Sequence, residues 1–104
     1  MRHFLLTYEL APDFPERRAG FRSEHLTLAW ASYERGELVQ GGAAGDPPGR
    51  AVLFFRADGP KVAERFAEAD PYVTNGLVKR WTVQEWKTVI GAEAADPVRP
   101  EDLE

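Results

Sequence analysis

The chain has 104 residues, a formal net charge of −4, no cysteine and only two histidines, His3 and His25. That length suits one small domain and is too short for two. An acidic balance without a Lys/Arg stripe argues against nucleic acid or an anionic membrane surface as partner, and the missing cysteines exclude disulfides and thiolate chemistry.

MRHFLLTYEL begins the chain, too short an apolar run, without a cleavage site, for a signal peptide. No stretch nears the ~20 apolar residues of a membrane span. The expectation is a cytoplasmic protein. His3 to Leu10 alternates with period two, which predicts a strand. Phe4, Leu6, Tyr8 and Leu10 face one way and Leu5 puts an apolar group on the other face. Pro12 and Pro15 end it.

Phe14 to Arg35 reads as helix, with a break near Gly20 and Gly36 as the stop. Leu38 to Ala43 and Ala51 to Arg56 read as strands, joined into a hairpin across the Gly/Pro-rich stretch Gly41 to Gly49. Pro60 to about Asp70 is a second helix, capped by Asp58 or Gly59, with Pro60 in its first turn. Leu77 to Ile90 is a last extended segment whose alternation slips between Val83 and Trp86, which predicts a bulge or bend. The domain then spans residues 1–91, and Ala92 to Glu104 reads as a loose acidic tail.

Strand, helix, strand, strand, helix, strand is the ferredoxin-like order: α+β, an antiparallel sheet with two helices on one face. Leu5, Leu53 or Phe54, and Trp81 or Trp86 make both sheet faces apolar, and a sheet with two apolar faces needs a second layer. A homodimer packing sheet against sheet supplies one.

At roughly 100° per residue, Phe21, His25, Leu26, Leu28, Ala29, Trp30, Ser32 and Tyr33 share the broad inner side of the first helix. Arg22 lies near Leu26 and Ala29, and Arg18 joins it if the helix continues through Gly20. Cations facing a core are costly unless paired, so this face asks for a carboxylate or an anionic ligand. The plainer alternative is arginines snorkelling at the edge and a satisfied core histidine. Pro71 cannot continue the second helix and pushes Asp70 out of helical geometry, which gives its carboxylate a defined direction. That aspartate is either a helix stop holding a local N–H or a functional carboxylate.

FLLTYEL at the start, FRSEHL in the first helix, GELVQGG in the second strand and ADPYVTNGL after the second helix resemble the YciI-like (YCII-related) proteins. The resemblance runs from about Met1 to Gly91. It implies a dimeric α+β barrel of two ferredoxin-like subunits, a His–Asp active site at His25 and Asp70, and Arg22 as the arginine of the first-helix motif. It implies lyase or isomerase chemistry of the dehydrochlorinase kind on a small anionic or phenolic metabolite. Asp70 on one ring nitrogen would fix the tautomer of His25, leaving the other nitrogen to move a proton near neutral pH. Arg22 would bind a carboxylate, phenolate or enolate, Tyr72 would add a hydroxyl at the pocket edge, and Gly41 and Gly42 would admit a ligand close to the backbone. None of this requires a metal or an organic cofactor. The competing readings are a non-catalytic ligand-binding or regulatory dimer, and an oxygenase of the same barrel with Trp30, Trp81 or Trp86 as pocket walls.

Overall fold

The computed structural model describes residues 1–103; Glu104, the last residue of the expected tail, lies outside them. The elements are β1 (Arg2–Leu10), α1 (Phe14–Arg17), a 3-10 turn (Arg18–Gly20), α2 (Arg22–Glu34), β2 (Leu38–Ala44), β3 (Arg50–Ala57), α3 (Lys61–Ala69), α4 (Pro71–Thr74), β4 (Val78–Glu85) and a second 3-10 turn (Pro100–Leu103). The strands form one sheet in the order β2-β3-β1-β4, every neighbouring pair antiparallel. That is the ferredoxin-like α+β arrangement expected from the order of elements.

Alternation along β1 buries Phe4, Leu6, Tyr8 and Leu10 on the helix side. Opposite them in the ladders stand Phe55, Leu53 and Ala51 of β3, and Val83 and Trp81 of β4. The core closes with Phe66, Ala63 and Ala67 of α3 and with Phe14, Tyr72 and Leu77. Trp81 therefore faces the helices, whereas Leu5, Phe54 and Trp86 share the other face; Phe54 meets His3 and Trp86 edge-on at 4.7 and 5.2 Å. His3 is buried on this face, with Thr88 Oγ1 2.7 Å from its Nδ1.

Three local expectations are corrected. β2 runs on through Gly41–Ala44, paired with Leu53 to Arg50, so the connecting loop is shorter than Gly41 to Gly49; ladder pairing overrides the weak strand preference of Gly and Ala. The slip in alternation after Val83 marks the end of β4 at Glu85, and the irregular register in this sheet pair sits at Glu9/Leu10 instead. The N-cap position of α3 is Pro60, with no side-chain cap from Asp58 or Gly59. Beyond β4, Val98 N–H donates to Val89 O and Asp96 N–H to Thr88 O. Val89, Ile90, Val98 and Leu103 are exposed in this segment.

The two helical layers differ. α3 is amphipathic and packs three buried residues on the sheet, whereas only Ser32 of α2 is fully buried. Trp30 and Tyr33, placed inward by the helical wheel, are 60% and 49% exposed. The reason is side-chain size. Ala29 on α2, Gly41 and Ala43 on β2, and Ala51 on β3 leave the space between this helix and the sheet edge unfilled. A cavity of about 480 Å³ opens there, within the range of small-molecule sites.

Candidate active site

Asp70 carries more structure than a helix stop. It ends α3, and with φ −70° and ψ 122° it caps α4, where Pro71 takes the first position. Its Oδ1 accepts the backbone N–H of Tyr72 at 2.9 Å, so the unfavourable dipole at the end of α3 is offset by the favourable one at the start of α4. The TNGL stretch then closes α4. Gly76, at φ +78°, donates to Val73 O, and Leu77 N–H reaches Tyr72 O at 2.9 Å, the paired bonds of a Schellman ending. Both helix ends are thus satisfied within eight residues, and the carboxylate between them is held rigidly.

That carboxylate is fully buried. Tyr8 Oη donates to Oδ2 at 2.7 Å, and His25 Nδ1 lies 3.0 Å from both oxygens. Three donors converge on one buried carboxylate, so its oxygens are satisfied away from water. Nδ1 must carry a proton to donate, which leaves Nε2 as the basic nitrogen of the neutral ring; no group among the described residues bonds to it. The imidazole stacks on the Tyr72 ring at 4.0 Å with 12° between planes, and Phe66 meets it edge-on. Its side chain is 16% exposed, and it lines the cavity.

Burial, reinforced by the charge of Asp70, pushes the Tyr8 phenol far above its ordinary pKa, so it remains a donor throughout the usual pH range. Burial also raises the Tyr72 phenol, opposed by the nearby Arg22 and Arg18 charges. The Tyr72 hydroxyl is buried and has no hydrogen-bond partner among the described residues.

His25 and Asp70, singled out in the sequence, are therefore in contact, and Arg22 and Tyr72 join His25 at the same cavity. Gly42 borders it too, but its cross-strand partner is Val52, so its missing side chain lies on the opposite sheet face. Gly41, opposite Leu53, is the glycine whose Cβ would enter the helix side, 3.3 Å from Leu53 Cγ. Trp30 lines the cavity; Trp81 and Trp86 do not. Tyr8 was not singled out. The available signal was a phenol on the buried face of a central strand, whose hydroxyl needs a partner. Among the described residues there is no cluster of three or more potential metal ligands, and no helix is long and apolar enough to cross a membrane.

A family model described as the YCII-related domain matches residues 1–87. Similar solved structures include the 5-chloro-2-hydroxyhydroquinone dehydrochlorinase TftG of Burkholderia phenoliruptrix AC1100, in complex with 2,5-dihydroxybenzoquinone. It is 21% identical with a TM-score of 0.66, over 83% of this chain and 94% of that one. Protein Atu4242 of Agrobacterium tumefaciens is 20% identical at a TM-score of 0.56, over 92% and 99%. A Deinococcus radiodurans protein described as an antibiotic biosynthesis monooxygenase is 16% identical at 0.51, over 95% and 100%. At these identities the likeness is one of fold. No curated protein matches the sequence.

Proposed function

This chain belongs to the YCII-related domain family, and from that premise we propose that it is a small enzyme using His25 and Asp70 for acid–base chemistry on an anionic or phenolic metabolite. One observation carries the proposal: a buried carboxylate bonds Nδ1 of a histidine whose ring lines a cavity. Nε2 takes a proton from a substrate C–H or O–H. Asp70 stabilises the imidazolium that results, without itself accepting the proton. Negative charge left on a substrate oxygen meets the Arg22 guanidinium. The imidazolium then returns the proton to another atom, completing an isomerisation, or protonates a departing group, completing an elimination. TftG, which shares the fold and is named a dehydrochlorinase, supports the elimination arm. The steps as drawn draw only on side chains of this chain.

In the same proposal the protein acts as a homodimer. Leu5, Phe54 and Trp86 form an apolar group on the sheet face opposite the helices, and Trp86 is 45% exposed. A second sheet packed there would supply the missing layer. Residues 92–104 then form an acidic appendage to a domain ending near Gly91.

The test is a turnover screen of small phenols, enols and carboxylates with the wild type, His25→Ala and Asp70→Asn. Loss of product formation in both folded variants supports the enzyme. Normal turnover in both refutes it. Saturable binding without product from any compound favours the non-catalytic ligand-binding dimer.

A further inference from the structure

The cavity's charge balance goes further. The chain contains 17 Asp and Glu residues, yet none lines this cavity, where Arg18, Arg22 and His25 are the ionisable cationic groups. Among the described residues neither Arg18 nor Arg22 has a carboxylate within ion-pair distance; Arg50, Lys61, Arg65, Lys87 and Arg99 have none either, but only Arg18 and Arg22 line the cavity. The one carboxylate behind this wall, Asp70, is taken up by Tyr8, His25 and the Tyr72 N–H, and the two guanidiniums stand at the cavity without an acid of their own.

The Tyr72 hydroxyl is a second and independent sign. Tyr72 is 5% exposed and lines the same cavity. Arg22 faces its oxygen as a donor, but the hydroxyl proton has no acceptor among the described residues; a buried hydroxyl left so is unfavourable, and its retention points to a ligand acceptor. Arg18, Arg22 and Tyr72 line the same cavity, and both guanidinium charges act on the phenol. α2 also begins at Arg22 without a side-chain cap, so its positive dipole end adds to the same corner. Away from it the walls are apolar: Leu26, Ala29 and Trp30 from α2, and Leu38 and Leu53 from the sheet. Trp30 and Tyr33 stack edge-on at 5.2 Å.

We propose that the cavity takes a carboxylate attached to a flat one- or two-ring apolar body, the carboxylate bound by Arg18, Arg22 and the Tyr72 hydroxyl and the rings lying along the Trp30 wall. This rests on the cavity being the substrate site proposed above. Two guanidiniums and a phenol offer more donors than one phenolate oxygen can use. A carboxylate, with about four lone-pair sites, matches them. Inorganic phosphate would satisfy the donors but leave the apolar walls empty. Held by its carboxylate at Tyr72, the ligand lies beside His25, whose ring stacks on that of Tyr72.

Calorimetric titration of the full chain with benzoate, 2-naphthoate, their neutral amides, 2-naphthol and inorganic phosphate tests this. At least one carboxylate is expected to bind ten-fold or more tightly than its amide and than 2-naphthol, with phosphate weaker still. Arg18→Gln and Arg22→Gln should each weaken carboxylate binding by about ten-fold, and Tyr72→Phe by several-fold, while amide binding stays unchanged and reports an intact pocket. Equal affinity for acid and amide, no carboxylate binding at millimolar concentration, or insensitivity to both arginine changes overturns the inference. His25→Ala separates it from the proposed chemistry. Carboxylate binding that survives this change while turnover is lost supports both. Turnover lost without carboxylate preference refutes only the ligand class, and carboxylate preference with turnover independent of His25 refutes only the chemistry.

Discussion

Replacing Asp70 by Asn tests how much one buried charge organises. The carboxylate accepts from Tyr8 Oη at 2.7 Å, from Tyr72 N–H at 2.9 Å and from His25 Nδ1 at 3.0 Å. Asn keeps one carbonyl oxygen, which suffices for the Tyr72 N–H and preserves the α4 cap. Its NH2 then faces Tyr8 and His25. The Tyr8 hydroxyl can rotate to accept; Nδ1, 3.0 Å from both oxygen positions, either keeps its proton on the remaining carbonyl or accepts from the NH2 by moving that proton to Nε2. Two charge-assisted bonds become neutral ones, a loss of roughly 1 kcal/mol each and about 2 kcal/mol together. For a domain of this size that is a fall in Tm of about 8–16 °C. Either way the anion that stabilises the imidazolium is gone, and in the second form the lone pair at Nε2 is lost as well, so turnover is expected to fall by about 10²- to 10⁴-fold. Nitrogen-detected NMR of the imidazole reads the tautomer directly. The wild type should carry its neutral-state proton on Nδ1, and Asp70→Asn should shift population toward Nε2. A wild-type ring protonated on Nε2, or a variant with unchanged tautomer and unchanged turnover, refutes the reasoning.

Tyr8→Phe removes one donor from the buried carboxylate and should cost about 1.5–3 kcal/mol, read as a clear loss of Tm; a change below about 2 °C would show that the bond adds little. His3 supplies a pH dependence. Burial, then the charges of Arg56 and the N-terminus, lower its pKa, so the folded state favours the neutral ring. Its contribution is fully present above the unfolded value of about 6.5 and is lost as pH falls toward the lower folded value. Urea unfolding at pH 5 and pH 7 should show a smaller acid loss for His3→Phe than for the wild type, and equal losses would contradict the assignment. Phe54→Asp puts a charge into the apolar patch on the open sheet face; sedimentation should show wild-type dimers and variant monomers, and dimers in both would exclude that face as the interface.

The order of elements was readable because β1 and α3 carry clear periods and Gly36 and Pro71 punctuate the chain. Finer points depended on pairing. Gly41–Ala44 have little strand preference alone and become strand only against β3, and whether Trp81 or Trp86 faced the helices was decided by register. The helical wheel correctly put His25 on the inner side of α2 but also put Trp30 and Tyr33 there. A wheel assigns direction and cannot know that Gly41, Ala43 and Ala51 leave nothing to pack against. Asp70 stood out because of Pro71. Its role as cap of a second, four-residue helix did not, since α4 is too short to show a period. Tyr8 read as ordinary core because its partner lies 62 residues away.

The central claim is that His25, held by Asp70, moves protons on a ligand in the cavity. Deuterium incorporation into candidate phenols, enols and ring carboxylates in heavy water, followed by mass spectrometry, measures proton movement even where no net reaction occurs. Incorporation is expected with the wild type and none above background with His25→Ala or Asp70→Asn, both folded. Incorporation at wild-type rates in either variant, or none with the wild type for a compound that binds the cavity with an exchangeable C–H beside His25, would contradict it.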